Sequence, residues 1–79
     1  MQNNLNVPRA AFAITLSDSV NFHTPIRAIY VGVGGNIVCY LPDGTTVTFV
    51  AVPQGTELRI ECLRVNSTGT TAASLVGLV

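Results

Sequence analysis

The chain contains no lysine and no tryptophan, and its 79 residues include only four arginines and four acidic side chains, so its formal net charge is zero. The arginines are scattered, which leaves no basic patch for a phosphate backbone, and we expect no nucleic-acid partner. The low content of Lys, Glu and Gln argues against a long helix or a coiled coil. With 48% hydrophobic residues and no net charge, the composition is not that of a disordered chain.

Long apolar runs are also missing. No segment approaches the roughly 18 to 20 apolar residues of a membrane-spanning helix. Residues 1–6 have neither the basic segment nor the apolar stretch of a signal peptide. We therefore expect no membrane partner and a soluble, unprocessed chain.

Cysteine is scarce, with Cys39 and Cys62 as the only two. Two cysteines are too few to build a disulfide scaffold. Without a secretion signal they are expected to be reduced, buried thiols, and a disulfide between them is the alternative.

The residues needed for chemistry are few and badly spaced. His23, the only histidine, has no nucleophile and acid arranged around it as a catalytic triad requires. Cys39, Cys62 and His23 are irregularly spaced, unlike the paired ligands of a zinc site. The glycine-rich stretch 32–36 is followed by a strand pattern and not by the helix of a phosphate-binding loop. We predict no enzyme and no catalytic, cofactor or metal site.

What the chain does contain is strand-forming residues. Val, Ile and Thr make up about a third of it. Phe12, Ile14 and Leu16 alternate with smaller or polar residues, which is the period of a strand with one buried face. Proline- and glycine-bearing turn signals recur every eight to twelve residues or so. The fold class predicted is all-β: a small antiparallel β-sandwich or barrel of six to seven short strands.

The predicted elements can be placed along the chain. Strands are expected at 11–17, 26–33, 37–41, 45–52, 57–65 and 72–79. Turns at 34–36, 42–44 and 53–55 would join neighbouring strands into a meander, and a β-bulge is expected at 62–63. Asp18 and Asp43 are expected to stabilise their own turns. Residues 1–10 are polar and irregular, so the predicted organisation is an N-terminal arm, 1–10, and one domain, 11–79.

Two strands are apolar on both faces. In 26–33 the alternating sets are Ile29 with Val31 and Val33, and Ile26 with Ala28 and Tyr30; in the last strand they are Leu75 with Val79, and Val76 with Leu78. A thin sandwich needs only one apolar face for each strand. We predict that a second copy or another protein covers the other face. The alternative is that these are central strands of a closed barrel.

Six segments, taken in order and at their spacing, carry a resemblance to a known family. They are R-A-A-F-A-I-T-L-S-D (9–18), R-A-I-Y-V-G (27–32), V-T-F (47–49), V-P-Q-G (52–55), R-V (64–65) and T-G-T-T-A (68–72). Together these segments resemble the spike base proteins of gene transfer agents and related tailed phages, over residues 9–79.

The resemblance implies a structural protein of the virion, located on the capsid surface and synthesised in the cytoplasm of the bacterial host. Such a protein would assemble with copies of itself, five being the expected number at a capsid vertex, on the major capsid protein, and would attach a spike or fibre that contacts the host. The alternatives are a capsid-decorating cement protein or a tail or fibre adaptor, and, in another class, a small carbohydrate-binding module. The interface residues we predict are Leu5, Val7, Arg9, Phe12, Tyr30, Val76 and Leu78.

Overall fold

The computed structural model describes residues 10–79, and within that range the chain forms seven strands and no helix. The strands are β1 (Ala11–Ala13), β2 (Ala28–Val33), β3 (Gly35–Tyr40), β4 (Thr46–Val52), β5 (Glu57–Leu58), β6 (Arg64–Val65) and β7 (Ala73–Leu78). In this part of the chain no helix is long and apolar enough to cross a membrane.

The strands form two antiparallel sheets. One has four strands in the order β1-β7-β2-β5, and the other has three in the order β4-β3-β6. The all-β prediction is confirmed, and of its two forms the described residues adopt the sandwich, not a closed barrel.

The core lies between the sheets and is entirely apolar. The largest fully buried side chains are Ile26, Ile29, Val31, Ile37, Cys39, Cys62 and Val65. Phe12, Ile14 and Leu16 pack against this core, so the predicted alternation is confirmed. The first strand is shorter than expected, because the chain moves between sheets after Ala13: the Ile14 N–H donates to Leu75 O in the four-stranded sheet, and the Ser17 N–H to Val65 O in the other.

The predicted hairpin at 34–36 is wrong. β2 and β3 do not pair with each other, because they belong to different sheets, and the chain crosses between the layers at Gly34 and Gly35. A Cβ on Gly35 would lie 2.7 Å from both Ala72 N and Thr71 Oγ1. Glycine is therefore needed here for close backbone approach and not for a tight turn.

Asn36 holds this crossover in place. Its backbone N–H donates to Thr71 Oγ1 at 2.8 Å, and its carbonyl accepts the N–H groups of Thr71 and Ala72. The β3–β4 register shifts between Gly35 and Ile37, and the Asn36 Oδ1 accepts the Ala51 N–H at 2.9 Å across this irregularity. Ala51 has a φ of +56°, unusual for a residue with a side chain.

The turn at 42–44 is confirmed as a hairpin between β3 and β4. The Leu41 N–H donates to Thr45 O, and Asp43 Oδ1 accepts both the N–H and the hydroxyl of Thr45, at 3.0 and 2.7 Å. Asp43 therefore stabilises its own turn, as predicted. The chain also turns at 53–55, but there it passes from the three-stranded to the four-stranded sheet. The predicted meander is thus wrong, since only one of the three turns closes a hairpin.

The predicted strand 57–65 is divided between the sheets. β5 pairs with β2, β6 pairs with β3, and between them Cys62 forms an isolated bridge with Ile26. The irregularity expected at 62–63 is therefore a crossing point between the layers and not a bulge within one strand. It separates Arg59, which is exposed, from Arg64, which lies over a tyrosine ring.

Candidate interaction surface

Two rows of small and apolar side chains lie on the outside of the four-stranded sheet. Register aligns Ala13 with Val76 and Val76 with Tyr30 in one row. The next row aligns Ala11 with Leu78 and Leu78 with Ala28. We call these six residues the outer sheet face.

Ala28 is buried, but the exposure of the other members shows that this surface faces away from the core. Tyr30 is 45% exposed, while its neighbours Ile29 and Val31 are fully buried. Val76 and Leu78 are half-buried, whereas Leu75, which lies on the other face of the same strand, is buried. None of the six residues is charged, and Glu57 lies at the margin, paired with Tyr30. The geometry therefore brings together three predicted interface residues, Tyr30, Val76 and Leu78, on one uncharged surface.

Ile26 does not share this surface, although the alternation grouped it with Ala28 and Tyr30. It is fully buried, and a Cβ on Gly77 would lie 2.9 Å from its side chain on the inner side of the sheet. The chain bends at Arg27, and this bend reverses the alternation before β2 begins. The grouping of Ile26 with Ala28 and Tyr30 on one face is therefore wrong.

Phe12 faces the inner side and packs edge-on against Phe22, with ring centroids 5.5 Å apart and an interplanar angle of 71°. The two rings line an open groove of about 430 Å³ that also includes Leu16, Val20 and His23. The structure thus places Phe12 away from the outer sheet face. The predicted arm, 1–10, lies outside the described residues except for Ala10, and so do Leu5, Val7 and Arg9.

A polar cluster lies on the three-stranded sheet, around Arg64. Its guanidinium carbon is 4.3 Å from the centre of the Tyr40 ring, which pairs with it across β3 and β6. The Arg64 Nε–H donates to Asn66 Oδ1 at 2.8 Å, and Nη1 donates to Asn21 Oδ1 at 3.0 Å. The Arg64 guanidinium is thus held on one face by the Tyr40 ring and along its edge by the two asparagine oxygens. Sequence reasoning missed this cluster because Asn21 is 43 residues away.

Arg64→Lys should lower the stability of the fold by about 1 to 2 kcal/mol, because an ammonium group cannot stack on Tyr40 and reach both amide oxygens. The matched control is Arg59→Lys, since the Arg59 side chain is 72% exposed and only 4.0 Å at its nearest from a Glu57 oxygen. Urea unfolding would show a lower midpoint for Arg64→Lys alone. Equal midpoints for the two variants would contradict this role of the cluster.

Asp18 connects two distant loops. Its Oδ1 accepts the Thr68 N–H at 2.9 Å and its Oδ2 accepts the Thr68 hydroxyl at 2.6 Å. These bonds hold the pKa of Asp18 below its usual value, because they favour the charged carboxylate. The expectation that Asp18 stabilises its own turn is wrong. There the Ser17 hydroxyl accepts the N–H groups of Ser19 and Val20 instead.

The remaining candidates for chemistry are dispersed. Among residues 10–79 no three His, Cys, Asp or Glu side chains are grouped closely enough to hold a metal ion. His23 lies at the open groove, while Cys39 and Cys62 are buried free thiols. The glycine-rich stretch 32–36 leads into β3, as the strand pattern predicted.

Comparison with known proteins finds solved structures that match this chain, and one of those matches is of high similarity. It is a chain described as "Capsid of native GTA particle computed with C5 symmetry", where GTA denotes a gene transfer agent. The sequences are 38% identical, the TM-score is 0.83, and the match covers 91% of this chain and 83% of that chain. No family model matches this sequence, and no curated protein matches it.

Proposed function

This chain belongs to the family of gene-transfer-agent capsid proteins that the matched structure represents, and we propose that it is an oligomeric vertex component that attaches a host-contacting spike or fibre to the head. At the coarser level it is a structural protein of the virion. The observation that carries the proposal is 38% identity over 91% of the chain together with a TM-score of 0.83.

The outer sheet face supports an assembly role. An uncharged surface on one side of a chain of 79 residues is suited to contact with another protein, because it loses no charge solvation on burial. A domain of this size buries only about 60% of the surface of its unfolded chain by itself. Association would supply the rest of the apolar burial, so we propose this face as a contact between subunits or with the major capsid protein.

A ring of five is the expected form at a vertex. The matched particle was computed with C5 symmetry, and a head-to-tail contact repeated by a fivefold rotation closes such a ring. The same contact surfaces would then recur in every subunit. This leaves the centre and outer rim of the ring for a spike or fibre.

The location can be tested in the particles themselves. We expect a cryo-electron microscopy map of wild-type particles to show density that fits this fold at the fivefold vertices, absent when the gene is deleted and restored by complementation. Density between capsomers over the whole shell would indicate a cement protein, and density on the tail would indicate a tail adaptor. A particle that lacks the protein altogether would contradict a virion role and favour the carbohydrate-binding alternative.

The N-terminal arm is proposed as a second contact through Leu5, Val7 and Arg9. Deletion of residues 1–8 should leave the melting temperature nearly unchanged, since every strand of the structure lies between Ala11 and Leu78. The truncated protein should be incorporated into particles at a reduced level, measured by quantitative mass spectrometry of purified particles. Normal incorporation would remove the arm from the proposed contact.

A further inference from the structure

Cys39 and Cys62 come from different layers of the sandwich. Cys39 lies in β3, the central strand of the three-stranded sheet. Cys62 lies in the crossover between β5 and β6, where it bridges Ile26 at the approach to β2 of the four-stranded sheet. Both side chains are free and fully buried in the same apolar core. A bond between them would therefore connect the two layers.

Backbone pairing brings the two thiols to the same part of the core. The Leu63 N–H donates to Tyr40 O at 2.8 Å, so the residue that follows Cys62 is bonded to the residue that follows Cys39, and Cys39 itself pairs with Val65 of β6. The Cys62 thiol also donates to the Arg64 carbonyl oxygen at 3.0 Å. The hydrogen bond from Cys39 lowers the pKa of Cys62, and the same bond, together with burial, raises the pKa of Cys39. The lowered pKa favours the thiolate form at Cys62 over that at Cys39.

We propose that Cys39 and Cys62 are reduced during synthesis and form a disulfide bond when the protein enters an oxidising environment. This bond would link the two sheets covalently. The transfer from cytoplasm to exterior rests on the proposed virion function. The proposal that the pair can form the bond rests instead on the burial of both thiols in one core and on the pairing of their neighbours. The disulfide would stabilise the fold, because closing the loop from residue 39 to 62 lowers the conformational entropy of the unfolded chain.

The reaction balances with a small-molecule disulfide as oxidant. The Cys62 thiolate attacks one sulfur of the oxidant, breaks its S–S bond, and releases one thiolate. The Cys39 thiolate then attacks the Cys62 sulfur of this mixed disulfide and releases the second. Two cysteine thiols are oxidised, one disulfide is reduced to two thiols, and the two protons pass to the released thiolates.

Access to the buried thiols requires the segment around Cys62 to open. Cys62 is joined to Ile26 by an isolated bridge with long N···O distances of 3.4 and 3.2 Å. The neighbouring strand β5 has only two residues. Segments with so few backbone bonds open more readily than the rest of a fold. We expect oxidation to be slow, at the rate at which this segment opens.

The test uses the purified full-length protein incubated with oxidised glutathione. We expect the intact mass to fall by about 2 Da and both thiols to become unreactive in denaturant, because one intramolecular disulfide forms. The melting temperature should rise by roughly 10 °C and return to its starting value in dithiothreitol. Cys62→Ala and Cys39→Ala serve as controls that cannot form the bond and should show neither the mass loss nor the rise.

The outcomes that overturn the proposal are distinct. They are two reactive thiols after prolonged incubation, stable glutathione adducts, or a disulfide-bonded dimer on a non-reducing gel. If either alanine variant fails to fold, the mass and thiol count of the wild-type protein decide alone. None of these readouts uses particles, so a failure here is separate from a failure of the proposed virion function.

Discussion

Val76→Asp should disrupt the proposed assembly of subunits and leave the protomer folded. Val76 lies between Ala13 and Tyr30 on the outer sheet face, where it is half-buried in the single chain. At a subunit contact the substitution removes about 1.5 to 3 kcal/mol of apolar burial and introduces a carboxylate without a partner. We expect association to weaken at least about 100-fold, since each 1.4 kcal/mol is a factor of ten. Light scattering over a range of concentrations would measure it.

The control for this experiment is Thr48→Asp. Thr48 is also in a strand and exposed, but it belongs to β4 of the other sheet and pairs with Val38. The Thr48→Asp substitution therefore introduces the same charge, and a similar loss of strand propensity, at a position away from the proposed contact. Leu78→Asp should behave like Val76→Asp. Equal association of the Val76 and Thr48 variants would contradict the assignment of the outer sheet face as an interface.

Gly35→Ala should have the largest effect on folding. The added Cβ would lie 2.7 Å from Ala72 N and Thr71 Oγ1, and Gly35 has a φ of +156°. Backbone atoms held by Asn36 cannot move away cheaply. The cost of such overpacking and strain is about 3 kcal/mol, or a fall of about 12 to 24 °C in melting temperature for a chain of this size. Thermal unfolding followed by circular dichroism would measure it.

Gly44→Ala isolates the contribution of backbone conformation. Gly44 has a φ of +90°, and nothing lies within 4 Å of the Cβ that alanine would add. Its cost should be only the strain of about 1 to 2 kcal/mol for a left-handed residue. A melting temperature for Gly35→Ala no lower than that of Gly44→Ala would show that the crossover tolerates a side chain and that its close packing is not required.

Part of the inward and outward pattern could be read from the local sequence. Phe12, Ile14 and Leu16 alternate as predicted, and Val76 and Leu78 lie opposite Leu75 in β7. The turn at Asp43 was also predictable, because its hydrogen bonds to Thr45 span only two residues. Alternation and turn chemistry act between near neighbours, so they are visible without a structure.

The candidate surface could be predicted only in part. Tyr30, Val76 and Leu78 were identifiable because each strand has a second apolar set. That these residues form adjacent rows follows from the pairing of β2 with β7, which are about 45 residues apart in the chain. The Arg64 cluster and the contact of Asp18 with Thr68 were not predictable, because both depend on loops brought together from distant positions.

The sequence by itself determined an all-β fold, its approximate strands, and the core-facing residues of the segment that begins at β1. Only the tertiary structure decided which sheet each strand joins. Gly34–Gly35 has the composition of a hairpin turn, yet it carries the chain from one layer to the other, and 57–65 is divided in the same way. The physical reason is that backbone hydrogen bonds are available to any extended segment. The strand with which each segment pairs is therefore selected by how all the apolar faces pack together, and the local sequence does not encode that choice.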